Sequence, residues 1–293
     1  MPESTVDQRA AAEPAGREPF GSRLAAAMAA RGPLCVGIDP HPGLLADWGL
    51  NDDVAGVERF SLTVVEAVAS LAAAVKPQVA LYERHGSAGM AVLERTLAAA
   101  SAAGVLSIAD AKRGDIGSTM AAYADAWLRD GSALAADSVT LSPYLGFESL
   151  RPALDLAAEY GRGVFVLALT SNPEGKSVQH VGGSESVAKR IVEAAAAENR
   201  RYDGALGSVG LVVGATIGSA LADLGLDLNA VNGPLLAPGL GAQGATAADL
   251  RSTFGAAYPA VLATSSRGIL AAGPAVAGLR AATEETRDGL LGA

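Results

Sequence analysis

The chain has 293 residues, half of them hydrophobic and only 4% aromatic, a length that suits one large domain or two small ones and a composition that excludes collagen-like repeats and general disorder. Against 22 basic residues stand 31 acidic ones, a net charge of -9, so no broad basic surface is available to a nucleic-acid backbone. No run of about eighteen uncharged apolar residues marks a membrane span.

The opening MPESTVDQRAAAEPAGREPF carries acids and no apolar core, so it does not read as a secretory signal, and residues 1–18 are expected to form a flexible tail. A helix is predicted over Gly21–Arg31. Eight apolar runs follow as candidate strands: Leu34–Ile38, Val75–Leu81, Val105–Ala109, Ser138–Leu141, Gly163–Leu169, Gly210–Gly214, Leu235–Ala237 and Ala260–Ala263. Between them, Ala-rich stretches of helical period predict helices near Val57–Ala74, Ala88–Ala103, Ser118–Arg129, Phe147–Glu159, Ser184–Glu198, Ser219–Leu224 and Ala245–Phe254, with Pro274–Arg287 last. Continuous apolar strands are buried on both faces, so the eight units predict a single α/β domain, a (β/α)8 TIM barrel over residues 19–293 with an extra amino-terminal helix. An open doubly wound sheet is the alternative. Cys35, the only cysteine, falls within the first apolar run and reads as a small buried hydrophobe; with no intramolecular disulfide available, a cytoplasmic location is expected.

A barrel of this kind builds its sites where strands end. The predicted ends carry Asp39, Asp110-Ala-Lys112, Ser142, Thr170-Ser171, Thr216, Pro238-Gly239 and Ser266-Arg267. Asp110 and Lys112, two apart on an extended segment, are expected on one face, with Asp115 three residues on. Such a run could be a solvated turn, but Lys76 interrupts an otherwise apolar strand and needs carboxylates to justify its place there. An alternating array of Lys76, Asp110, Lys112 and Asp115 would hold ammonium groups charged and in position, and proton delivery to carbon is one use of such an array.

Pro238-Gly-Leu-Gly-Ala-Gln-Gly244 matches G-x-G-x-x-G, yet it lies late in the chain and leads to Ser265-Ser-Arg267 rather than to an acid for a ribose. Gly239, Gln243 and Arg267 read instead as a phosphate site on the loops after the seventh and eighth strands. Gly175-Lys-Ser177 lacks the earlier glycine of a P-loop, and His41, His85 and His180 lack metal-ligand spacing. No metal site is predicted.

Laid out in order, these residues resemble the orotidine 5′-phosphate decarboxylase family, in its longer actinobacterial-type branch. Asp110-Ala-Lys-Arg-Gly-Asp-Ile-Gly-Ser-Thr119 is similar to that family's D-x-K-x-x-D-I-x-x-T, supported by Ile38-Asp39, Lys76-Pro-Gln, Leu169-Thr-Ser171, Pro238-Gly and Arg267. The resemblance implies cofactor-free conversion of orotidine 5′-monophosphate to UMP and CO2 in pyrimidine synthesis. Lys112 would protonate C6, Asp110 would sit beside the departing carboxylate, Lys76 would bind Asp110 and a ribose hydroxyl, and Asp39 would hold the ribose. Ser171 would contact the pyrimidine, while Gly239, Gln243 and Arg267 would grip the phosphate. It further implies a homodimer in which Asp115, Ile116 and Thr119 reach the neighbouring subunit's site.

The chain departs from the family pattern in its amino-terminal extension, in Gly117 where many relatives carry Pro, and in Ser265-Ser266 where relatives often have Gly. The loop 172–183 has no secure alignment. The competing readings are an Mg2+-dependent sugar-phosphate decarboxylase or aldolase of the same barrel superfamily, which would place an acid where Lys76 stands, and a non-catalytic nucleotide-binding barrel, which would be expected to lack part of the array.

Overall fold

The structure, a computed structural model, describes residues 16–202, 204–241 and 244–292. Eight strands, β1 (Leu34–Ile38), β2 (Ala74–Pro77), β3 (Leu106–Arg113), β4 (Ser138–Leu141), β5 (Gly163–Leu169), β6 (Val209–Val213), β7 (Leu235–Pro238) and β8 (Val261–Ser265), close in sequence order into a barrel. Every neighbouring pair is parallel, including the closing pair β1 and β8, which sets Val36 beside Ser265. That is the predicted architecture, with helices on the outside, and the open-sheet alternative falls.

Two apolar layers hold it. Side chains on the outer strand faces pack against the helices in one continuous core, whereas Cys35, Ala74, Ile108, Phe165, Val212, Leu236 and Leu262 fill the barrel interior. The helix Phe20–Arg31 closes the interior from below, inserting Phe20, Leu24 and Ala27 into that second cluster. Phe20 meets the Phe165 ring edge-on at 6.0 Å between centroids. Gly163 opens β5 directly beneath it; a Cβ there would lie 2.1 Å from the Phe20 ring, so the close approach needs glycine. The helix stops at Gly32, whose φ of 82° turns the chain and whose N–H caps the Met28 carbonyl.

Several boundaries differ from the sequence expectation. The helix expected over Val57–Ala74 ends at Val68, and the strand expected from Val75 to Leu81 runs only from Ala74 to Pro77. Alanine favours helix locally, so Ala72-Ala73-Ala74 carries no signal for the buried turn and strand start that tertiary packing imposes. β3 extends beyond the expected Ala109 as far as Arg113, with a register shift against β4 between Ala109 and Arg113. Of the expected tail, residues 1–15 lie outside the described residues, but Arg17 is anchored rather than loose. Its guanidinium donates to Asp130 at 2.9 Å and to the Tyr160 carbonyl at 2.8 Å.

Candidate active site

With the amino-terminal helix filling one end, the barrel opens at the carboxyl ends of its strands into a cavity of about 270 Å3. Its lining includes Asp39 after β1, Lys76 from β2, Asp110 and Lys112 from β3, Gly239 after β7, and Ser266 and Arg267 after β8.

Lys76 and Asp110 sit on adjacent strands, each under 10% exposed. The Lys76 ammonium lies 2.7 Å from Asp110 Oδ2 and the Lys112 ammonium 2.6 Å from Oδ1, so one carboxylate is held between two cations. Thr140 Oγ1 on β4 donates to the same Oδ1 at 3.0 Å and accepts from the Lys112 backbone N–H at 2.9 Å. Burial pushes the Asp110 carboxyl up, and the ammonium groups of Lys76 and Lys112 more than reverse this, holding it well below the usual carboxylate range. For Lys76, burial alone would release the proton; the carboxylates of Asp110 and Asp39 overcome it and raise the ammonium above the ordinary lysine value. Among the cluster's neighbours, the Cys35 thiol is pushed up by burial to about 12 and stays neutral, in keeping with a packing role.

The expectation of an extended segment through Lys112 needs correction. Lys112 has φ 49°, in the left-handed region that a side chain rarely adopts. Here the strand bulges, and the ammonium returns to Asp110 from that bend. Arg113 ties the next step of the bend, donating to the Ala111 carbonyl at 3.2 Å, pairing with Glu83, and lying over the Tyr123 and Trp127 rings at 5.7 and 5.9 Å. Backbone strain of about 1–3 kcal/mol persists only where surrounding contacts determine the conformation, as they do here.

The other predicted residues are divided. Asp39 reaches the cavity, with Oδ2 accepting from Ser266 Oγ at 2.5 Å and Oδ1 buried without a partner among the described residues. Gly239 and Arg267 also line it, Gly239 at a φ of 124° that favours glycine. Ser171 does not: it is exposed and lines a neighbouring depression with Lys176, His180 and Thr216, while Thr170 faces the cavity. Asp115, Ile116 and Thr119 also stand outside the lining; Asp115 Oδ1 accepts from Ile116 N–H at 2.8 Å, and Ile116 is 61% exposed. Thus Asp115 does not join the Lys76–Asp110–Lys112 cluster of its own chain. Gln243 lies outside the described residues.

Sequence reasoning missed Thr140, and it placed Ser266 at a strand end without its bond to Asp39. The signal for Thr140 was present in Ser138-Val-Thr-Leu141, where alternation puts both hydroxyl residues on one face of a buried strand. Ser266 was visible as a polar residue at the end of the eighth strand, next to Arg267. His41 also lines the cavity. Among the described residues no group of three or more His, Cys, Asp or Glu side chains is gathered as a metal site would need, and no helix is long and apolar enough to cross a membrane.

Known proteins give the same fold and more. The chain is 61% identical over 269 residues to a Salinispora arenicola protein named orotidine 5′-phosphate decarboxylase, covering 91% of this chain and 95% of the relative. A Streptomyces coelicolor protein of the same name is 60% identical over 270 residues, again covering 91% and 95%. A crystal structure from Streptomyces avermitilis, provisionally described as the same enzyme, superimposes with a TM-score of 0.91 at 58% identity over 95% of this chain and 96% of that one. The Leishmania donovani OMP decarboxylase structure gives 0.75 at 31% identity, over 94% and 98%. The family model described as "Orotidine 5'-phosphate decarboxylase / HUMPS family" matches residues 32–282. Because that match runs unbroken from β1 through β8, the chain belongs to the orotidine 5′-phosphate decarboxylase / HUMPS family.

Proposed function

We propose that the protein is an orotidine 5′-phosphate decarboxylase, converting orotidine 5′-monophosphate to UMP and CO2 as a step of pyrimidine synthesis in the cytoplasm, with residues 19–293 as one catalytic domain. The observation that carries this reading is the buried Asp110 carboxylate held ionised between Lys76 and Lys112 at the floor of the cavity. It is supported by the high identity to relatives of that name.

In this reading the C6–carboxylate bond breaks, its electron pair remains on C6, and Lys112 Nζ transfers a proton to that carbon while CO2 departs. Asp110, fixed as an anion, raises the energy of a substrate carboxylate placed beside it and leaves the neutral CO2 unaffected. Lys76 keeps Asp110 in place, Asp39 holds the ribose, and Arg267 with Gln243 and the backbone at Gly239 takes the phosphate, whose remote binding energy offsets the repulsion at the reacting centre. Ser171, outside the cavity lining in this structure, would have to move inward with the loop that follows β5 to contact the pyrimidine. The reaction needs no cofactor: a divalent cation at the cavity floor would face the Lys76 ammonium, which repels it, and this disfavours the Mg2+-dependent sugar-phosphate chemistry.

The working unit is a homodimer in which Asp115, Ile116 and Thr119 complete the site of the second copy. Two observations support this. Asp115 is left out of its own cluster, and the loops after β3 and β4 expose Ile116, Tyr144 and Leu145 at 61%, 79% and 54%, apolar surface that a second copy would cover. The test is the loss of orotidine 5′-monophosphate absorbance with purified protein in EDTA and without added cofactor. Conversion to UMP is expected; no turnover by folded dimer would overturn the assignment.

A further inference from the structure

Ser266 stands immediately before Arg267, and its hydroxyl donates to Asp39 Oδ2 at 2.5 Å. The two residues follow β8 and β1, which pair to close the barrel. Gly37 lies against both. A Cβ there would stand 2.8 Å from Ser266 Cβ and 3.2 Å from Asp39 Oδ2, so the contact is packed as well as hydrogen-bonded. The other oxygen, Asp39 Oδ1, is buried and has no partner among the described residues, although Asp39 lines the cavity.

A buried carboxylate oxygen without a donor is costly, and a ligand hydroxyl that reaches it is favoured over an analogue that lacks one. Discrimination of that kind needs the carboxylate to be fixed, because a carboxylate free to turn meets the missing donor with water. We propose that Ser266 is a positioning residue that locks the Asp39 carboxylate in one orientation at the cavity wall and thereby sets the preference for ribose over deoxyribose. The inference rests on the reading of Asp39 as the ribose acceptor. Since Ser266 and Arg267 are consecutive, the sugar and phosphate contacts also share one backbone segment, and a phosphate that draws Arg267 inward acts on the same bond.

The experiment is calorimetric titration of the full-length protein with UMP, 2′-deoxy-UMP and 3′-deoxy-UMP, for wild type, Asp39→Ala, Ser266→Ala, Ser266→Gly and Ser266→Thr. Wild type is expected to prefer UMP over at least one deoxy analogue by about tenfold or more, the effect of an acceptor left unpaired. Asp39→Ala, Ser266→Ala and Ser266→Gly should all bring that ratio toward one, and Ser266→Thr, which keeps the hydroxyl, should restore it. A general loss of stability would weaken all three ligands together and leave the ratio untouched. If Asp39→Ala collapses the ratio while both hydroxyl-deleted variants stay within twofold of wild type, the role of Ser266 is overturned and the ribose reading stands. If Asp39→Ala itself leaves the ratio unchanged, or wild type shows no preference, the ribose reading fails and the inference falls with it.

Discussion

Replacing Thr140 by Val keeps the side-chain volume and β-branching but removes the one hydroxyl that touches both Asp110 and the Lys112 backbone. Thr140 is 1% exposed, so water has little access to take its place. Two bonds are lost, the 3.0 Å donation to Asp110 Oδ1 and the 2.9 Å acceptance from Lys112 N–H. A hydrogen bond to a charged group contributes about 1.5–3 kcal/mol, and a buried N–H left unpaired costs about 1–3 kcal/mol. The two overlap, because relaxation of the Lys112 bend can relieve the second at the expense of the geometry. That relaxation is the point of the experiment: Lys112 holds a φ of 49°, and releasing it moves the ammonium to which we assign proton delivery. If even 1.5 kcal/mol of the loss falls on the transition state, kcat drops by about tenfold or more. Steady-state decarboxylation and a melting curve, measured on Thr140→Val and Thr140→Ser, separate the contributions; Ser retains the hydroxyl and should keep most of the rate. A folded Thr140→Val with kcat within twofold of wild type, whatever its Tm, would refute the reasoning.

Asp110→Asn tests the electrostatics through pH. The folded Asp110 carboxyl lies below its unfolded value of about 3.9, so its contribution to stability is present above that pH and is lost as pH falls toward the folded value; the stability gap between wild type and variant should therefore narrow below about pH 4, and a gap constant down to pH 2 would contradict it. Phe20→Ala should destabilise the protein by about 3–5 kcal/mol, as for other large aromatic truncations in cores, read from urea unfolding, with kcat/KM retained where the protein is folded. A cost under about 1 kcal/mol would deny the amino-terminal helix its place in the core. Mixing inactive Lys76→Ala and Asp115→Ala subunits should return activity, since half of the heterodimer's sites then carry neither substitution; verified heterodimers with no activity would count against a shared site.

How far the sequence reaches depends on whether a feature is local. β4 and β5 are found to the residue because Ser138–Leu141 and Gly163–Leu169 are apolar runs closed by turn residues. β2 is misjudged because Ala72 to Ala74, which lead into it, continue a helical pattern and its end is set by Pro77 and by pairing with β1. At the site, Lys76 stands out because a lysine in an apolar strand requires an explanation, and Asp110 and Lys112 because charge is concentrated at a strand end. Thr140 and Ser266 are polar residues of ordinary type whose partners lie 30 and 227 positions away, and no window along the chain contains both ends of such a bond. Lys112 shows a further limit: its spacing from Asp110 is legible, but the bend that brings the two together belongs to the mismatch between β3 and β4.

The helix that closes the barrel floor has a consequence for the order of assembly during synthesis. It leaves the ribosome ahead of every strand, yet Phe20 packs on Phe165, Arg23 pairs with Asp137, and the Gly21 N–H donates to Ser208. Those partners are 114 to 187 residues downstream for the two hydrogen bonds, so the first helix made is among the last to be seated. Until β5 and β6 emerge, Phe20 and Leu24 are apolar groups without a core, the condition in which nascent chains recruit chaperones or aggregate. A chain released before β6 would have no floor for this segment to close, and the seated helix therefore marks a barrel whose first six strands are in place.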